Sequence, residues 1–313
     1  MKGKPRGSTE AVLRGRHAML RAVREFFDGR GFLEVETPVM VPSPGVEPHL
    51  DAFEVAGSAA PRWLSTSPEY QMKRLLGAGL PRLYQICKCF RRDEQGTLHE
   101  PEFTMLEWYR SPAGVEEMMR DTEELAAHAA RSVLGGSTVI PGRGRPLDLS
   151  PPWRRLTVAE AFRQYAGANA IELAGDEAAF YRVLIEKVEP RLGREAPVFL
   201  TEYPAQMASL ARLSPENPAV AERFEAYLDG VELCNGFGEL TDPAEQRRRM
   251  LADQEARRRL GKPAYPIDEK FLRALELGLP PSGGNALGLD RLVMLVLGAQ
   301  SIQEVMAIPS GRL

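Results

Sequence analysis

Cysteine and histidine are scarce in this 313-residue chain, which has three of the first and four of the second. Cys87, Cys89 and Cys234 do not make a disulfide framework. No second cysteine pair completes a zinc site with Cys87 and Cys89, and His17, His49, His99 and His128 show no ligand spacing, so the thiols read as ordinary buried ones. Positive charge is not in excess either: 40 Lys and Arg stand against 43 Asp and Glu, a formal net charge of −3. That excludes a protein gripping nucleic acid over a wide surface and leaves only local patches. No apolar run approaches the roughly eighteen residues of a membrane span. The N-terminal MKGKPRGSTE is polar and basic with no apolar core behind it, so the reading is a cytoplasmic protein. What is present is 43% hydrophobic residues, over a length that permits a large core in one or two domains.

The chain is organised around LYQICKCFRRDEQGTLHEPEFTMLEWYR, residues 83–110. Residues 83–90 and 102–109 are rich in aromatic and β-prone side chains, and the polar loop between them carries Gly96 and Pro101, which predicts a long-looped antiparallel hairpin. With a side-chain period of two, Arg91 continues the face of Gln85, Cys87 and Cys89. Phe103, Met105, Glu107 and Tyr109 share one face of the return strand. Burying Glu107 or Arg91 without a partner is costly, so the hairpin is expected to face a polar cleft.

Upstream, residues 9–28 place Val12, Leu13, Met19, Leu20, Val23, Phe26 and Phe27 at helical spacing, and Gly29 and Gly31 stop the run. GFLEVETPVM then alternates as a strand ending at Pro38. VPSPGVEPHLDAF is a proline-rich loop. RWLSTSPEYQMKRLL turns into a helix with Ser67 as N-cap, Pro68 at the first position and Glu69 in the first turn.

Residues 111–200 carry no motif and read as a mainly helical insertion. In VELCNGFGELTD, Glu232 and Glu239 are seven apart, so a regular strand puts them on opposite faces. A bulge at Asn235–Gly236 would shift the register and turn both into the cleft, where two carboxylates near phosphates suit Mg²⁺. The arginines at 247–249 and 257–259 fit a solvated helix, with Glu245–Arg249, Asp253–Arg257 and Glu255–Arg259 as i,i+4 pairs. SGGNALGLDRLVMLVLG combines glycines, which let backbone approach a ligand, with a buried helix starting near Asp290 and Arg291 at its mouth.

These segments, in this order, resemble motifs 1, 2 and 3 of the class II aminoacyl-tRNA synthetases, most closely the lysyl branch. The resemblance implies an α+β catalytic domain over residues 1–313, an antiparallel sheet flanked by helices, with a homodimer formed through motif 1. It gives Arg91 to the α-phosphate of ATP and Phe103 to the adenine, with Arg92, Asp93, His99 and Glu100 in the same ATP-binding set. Arg291, beside Gly288, clamps ATP from the side opposite Phe103, and Arg91 and Arg291 are the catalytic pair. Glu232, with Leu233, is assigned to ATP and metal, and Glu239 to the substrate's side-chain ammonium and, with Glu232, to Mg²⁺. Ser67, Pro68, Glu69, Glu107, Tyr109 and Asn235 complete the amino-acid pocket. A guanidinium fork suits phosphate oxygens, and an aromatic face suits a purine.

Only about thirty residues precede GFLEVETPVM, too few for the anticodon-binding barrel of a lysyl-tRNA synthetase. The pattern therefore resembles the elongation factor P lysyl ligase family, synthetase paralogues that pass a lysine-type amino acid to a protein lysine. The implied partners are ATP, lysine or β-lysine and elongation factor P, with no stable tRNA binding. A free-standing enzyme charging tRNA is the alternative. Ala286 supports the ligase reading: it stands where the synthetase motif has a glycine, and its methyl would intrude into the amino-acid pocket. One methyl discriminates by about 1 to 3 kcal/mol. Three departures stand out: Asp93 for the usual glutamate, with Glu94 beside it; Leu98 for an arginine; and Glu100 for an asparagine, a carboxylate that repels phosphates unless it faces elsewhere.

Overall fold

The computed structural model describes residues 9–144 and 146–313. Among the described residues there are twelve strands: β1 (Leu33–Glu34), β2 (Met40–Val41), β3 (Trp63–Leu64), β4 (Arg82–Phe90), β5 (Glu102–Arg110), β6 (Val139–Ile140), β7 (Leu147–Asp148), β8 (Arg154–Thr157), β9 (Val198–Pro204), β10 (Val220–Leu228), β11 (Val231–Gly238) and β12 (Gly283–Gly288). The helices are α1 (Thr9–Asp28), α2 (Glu69–Gly77), α3 (Val115–Val133), α4 (Val158–Ala166), α5 (Ala170–Leu173), α6 (Glu177–Val183), α7 (Pro243–Arg259), α8 (Glu269–Glu276) and α9 (Leu289–Leu297). Eight strands form one sheet in the order β1-β4-β5-β12-β11-β10-β9-β8. Its centre is antiparallel, and only the two outer pairs, β1 with β4 and β8 with β9, run parallel. This is an α+β fold.

Strand alternation gives the sheet two different faces. On one, Tyr84, Trp108, Asn285, Gly236 and Phe224 line up across five strands, as do Ile86, Leu106, Leu287, Cys234 and Ala226. Apart from Asn285 these are apolar, and they pack with α1, α3 and α9 into the largest core cluster. On the other face, Gln85, Glu107, Ala286, Asn235 and Glu225 form one cross-strand row, and Leu83, Tyr109, Gly284, Phe237 and Arg223 the next. This is the polar cleft that the hairpin predicts. α2 and α8 close one side of it over a second cluster that includes Met72, Leu76, Phe271 and Leu272.

The stretch 111–200 is not uniformly an insertion. α3 buries Met118, Met119, Leu125, Ala126, Ala129 and Ala130 in the main core, and β8 extends the main sheet. The part with a cluster of its own is α4 to α6, where Phe162, Phe180, Leu184 and Val188 pack against β9 and β10. The arginine-rich helix α7 also departs from expectation. Glu245 does pair with Arg249, but Arg257 is fully buried and leaves Asp253 for the 47–51 loop. Its guanidinium donates to the carbonyls of Glu47, Leu50 and Pro263 and to Asp51, and it lies 4.1 Å from the Tyr265 ring centre. Arg258, not Arg259, pairs with Glu255. No helix among the described residues is long and apolar enough to cross a membrane.

Candidate active site

The cleft has a cationic end and an anionic end, set by where each strand delivers its side chains. At the cationic end, Arg291 follows Asp290 in the first turn of α9. Asp290 is pinned by Arg16 of α1 at 2.5 Å and by the backbone N–H of Thr104 at 2.6 Å. Arg291 is thereby aimed at the hairpin loop, where it donates to the Leu98 carbonyl at 3.3 Å and to His99 Nε2 at 2.8 Å. It also reaches the Glu232 carbonyl at 2.8 Å and its carboxylate at 3.2 Å. A guanidinium cannot accept, so Nε2 of His99 is the acceptor and the ring proton sits on Nδ1. Burial, then the Arg291 charge, holds His99 below its ordinary value, so the ring is neutral.

Arg91 lies in the same electrostatic neighbourhood, since it, Arg291, Glu94 and Glu232 all act on His99. Its guanidinium sits 5.1 Å from the Phe103 ring centre and 3.7 Å from Glu94. The structure thus brings Arg91, His99, Phe103, Glu232 and Arg291 together. Glu94, not Asp93, is the carboxylate beside them. Asp93 occupies a left-handed turn (φ 68°), points to solvent and pairs with the half-exposed Arg92.

Three assignments at this end change. Glu100 is buried and turned away from the cleft, accepting from Gln303 Nε2 at 2.8 Å and from the Ser310 N–H at 3.1 Å. Burial works against its charge, yet these bonds hold it below the usual carboxylate range. It anchors the C-terminal segment, and the repulsion expected of it does not arise. Leu233 points its side chain into the main core, so only its backbone borders the cleft.

The third change is the metal pair. A register shift does turn Glu232 into the cleft, but it lies two residues earlier than expected: Ala226 pairs with Cys234 and Tyr227 with Glu232, leaving Leu233 as the extra residue. Asn235 and Gly236 are regularly paired. Glu232 and Glu239 then share a face at opposite ends of β11, roughly 20 Å apart at the ~3.3 Å rise of a strand. They do not fit one Mg²⁺. Among the described residues, no group of three or more His, Cys, Asp or Glu is placed to hold a metal ion.

At the anionic end, Glu69, Glu107 and Glu239 surround Tyr109 and a lysine. Glu107 is fully buried, accepting from the Ser67 hydroxyl at 2.5 Å and from the Tyr109 hydroxyl at 2.9 Å. Burial, and then the Glu69 carboxylate, push it up to about 8. Pro68, not Ser67, is the N-cap of α2, with Glu69 the first helical residue; Ser67 stands one position earlier, where its oxygen still accepts from the Glu69 N–H at 3.1 Å.

Glu239 is fully buried, its Oε2 lies 2.5 Å from Lys73 Nζ, and its Oε1 has no hydrogen-bond partner. Gly284 is required here, because a methyl at that position would collide with Glu239 and the Tyr109 ring. Ala286 stands between Glu107 and Asn235 in the cross-strand row, its methyl on the pocket floor. Asn235 accepts from Arg223 at 3.3 Å. Lys73 is the residue that sequence reasoning missed. Its signal was the i,i+4 spacing from Glu69, which reads equally well as a surface pair.

A cleft with two arginines at one end and three carboxylates at the other suits a nucleotide joined to an amine-bearing acid. The family model for class II tRNA synthetases (D, K and N) matches residues 5–312. The chain belongs to the class II aminoacyl-tRNA synthetases of the D, K and N group. Within this synthetase family it is 42% identical over 315 residues to the elongation factor P–(R)-β-lysine ligase of Edwardsiella ictaluri (strain 93-146), covering 96% of each chain. The ligase of the same name from Hamiltonella defensa subsp. Acyrthosiphon pisum (strain 5AT) is 41% identical over 307 residues, 94% of this chain and 93% of that one. That of Proteus mirabilis (strain HI4320) is 42% identical over 306 residues, 93% and 92%.

Proposed function

We propose that this synthetase-family protein is an ATP-dependent ligase that activates a lysine-type amino acid, (R)-β-lysine, and transfers it to a lysine side chain of elongation factor P. The observation that carries the reading is the buried Glu239 oxygen without a partner, beside Glu69 and Glu107. A buried carboxylate oxygen left unsatisfied is costly, and a substrate ammonium is the group that satisfies it. The relatives' names supply the acceptor.

In this mechanism Phe103 stacks the adenine, and Arg91 and Arg291 hold the phosphates, with neutral His99 fixing Arg291. The amine end of the substrate enters the carboxylate pocket, which sets its carboxylate against the α-phosphorus. A carboxylate oxygen attacks, the bond to the leaving phosphate breaks, and aminoacyl-adenylate and pyrophosphate form. The arginines act by positioning and by neutralising charge that develops on the phosphorus oxygens. The acceptor lysine amine then attacks the acyl carbonyl, AMP leaves with the anhydride oxygen, and the amine loses a proton as the amide forms.

The protein acts as a homodimer in this reading, supported by the exposed Leu33, Val39 and Met40 around the edge strand β1 next to α1. The test is ATP–pyrophosphate exchange with α-lysine and (R)-β-lysine side by side. Lysine-dependent exchange that disappears in Arg91→Ala is expected. A protein with no exchange for any amino acid overturns the proposal.

A further inference from the structure

We infer that Lys73 is a specificity-determining residue, a built-in counter-cation that fixes how many ammonium groups the pocket takes from its substrate. The inference rests on the amine-pocket reading above and deepens it. Lys73 lies on α2 one turn after Glu69, and its side chain is 1% exposed. Nζ is 2.5 Å from Glu69 Oε1 and 2.5 Å from Glu239 Oε2, and it sits 5.9 Å from each of the Tyr109 and Phe271 ring centres.

Burial alone would discharge this amine, but Glu239 and then Glu69 outweigh it and keep Lys73 cationic. Arg212 also acts on Glu239, but it is paired with Glu222 at 2.6 Å. Lys73 is therefore the one cation directly bonded within the trio of Glu69, Glu107 and Glu239 among the described residues.

Charge counting then sets the substrate class. With all three carboxylates ionised to receive the substrate, one lysine leaves two negative charges in a largely buried site, and uncompensated buried charge is strongly unfavourable. An amino acid with two ammonium groups balances them, whereas one with a single amine leaves a charge over. Lys73 also ties Glu69 on the helix to Glu239 at the end of β11, so the two acceptors hold a fixed separation. The separation selects where along the carbon chain the second amine must lie. Without Lys73, the three carboxyl groups lose their shared cation and an ammonium-sized hole is left.

The experiment is amino-acid-dependent ATP–pyrophosphate exchange by Lys73→Ala, with and without ethylammonium or propylammonium, and with propanol as the neutral control of similar size. The expected result is a KM for the diamino acid raised at least tenfold with the KM for ATP unchanged, restored in part by the alkylammonium ions and not by propanol. Equal rescue by propanol, or a diamino-acid KM equal to wild type, overturns the inference, since either means that Lys73 only fills space.

Should Lys73→Ala fail to fold, Lys73→Met keeps the volume between Tyr109 and Phe271. The same rise in KM for the diamino acid alone is then expected, and an unchanged value refutes it. Wild-type protein that shows no exchange with any diamino acid fails the functional reading itself, which separates the two failures.

Discussion

Substrate binding should release a proton, and Glu107 should be its source. In the free protein this carboxyl is pushed up to about 8, by burial and then by Glu69. Near pH 7 it is therefore about nine-tenths protonated. An ammonium docking against it requires the ionised form, so binding near neutrality carries a penalty of about 1.4 kcal/mol, a tenfold loss of affinity per pH unit below the pKa. Affinity for the amine substrate rises by roughly fivefold between pH 7 and 8 and levels off about tenfold higher above pH 9. Isothermal titration in two buffers of different ionisation enthalpy would read roughly 0.9 proton released from Glu107 per substrate bound near pH 7, with a smaller share from Glu239, which burial pushes up to about 7. Glu107→Gln, neutral and nearly isosteric, binds more weakly at high pH and removes the Glu107 share of the release and of the pH dependence, leaving only that of Glu239. Binding heats that do not depend on the buffer, with affinity flat over this range, would refute the argument.

The same carboxyl has a stability consequence. Its folded pKa lies above its unfolded one, so the folded protein binds more protons, and stability falls as pH rises from about 4.5 through about 8. Thermal melts of the free protein should show Glu107→Gln gaining on wild type across that window and not below it. Ala286→Gly removes the methyl between Glu107 and Asn235 and should move the ratio of kcat/KM toward α-lysine by tenfold or so, at the low end of what one methyl discriminates; an unchanged ratio would mean the methyl is not a selector. Arg257→Met removes the buried guanidinium and its four hydrogen bonds and should cost about 3 kcal/mol in urea unfolding, with less than 1 kcal/mol indicating that the 47–51 loop is held otherwise. Leu33→Asp should dissociate the proposed dimer in sedimentation experiments, and an unaltered mass would place the interface elsewhere.

Much of the site was legible because strand alternation is a strong constraint. Once the hairpin was recognised, Glu107 and Tyr109 had to share a face, and the structure puts them in adjacent cross-strand rows. The need for a bulge between Glu232 and Glu239 was equally readable. Its position was not, since Asn-Gly looks like the softer place, whereas the core draws both Leu233 and Cys234 inward and makes Leu233 the extra residue.

Residues whose partners are distant in sequence were misjudged for one reason: a charged side chain in a helical or loop pattern gives no sign of whether it is buried. Arg257 was read with Asp253 on its own helix, and three of its four hydrogen-bond acceptors lie 206 to 210 positions away. Glu100 was read toward phosphates, and its partners lie in the last dozen residues. Lys73 was legible only as half of an ordinary helical pair, because its second partner comes from the far end of another strand.

The most direct test offers the protein ATP, (R)-β-lysine and two acceptors together, elongation factor P and total tRNA, and follows intact protein mass and tRNA charging. An ATP-dependent gain of one lysyl unit on elongation factor P, with tRNA uncharged, is the predicted result. Charged tRNA with elongation factor P unchanged would contradict the account.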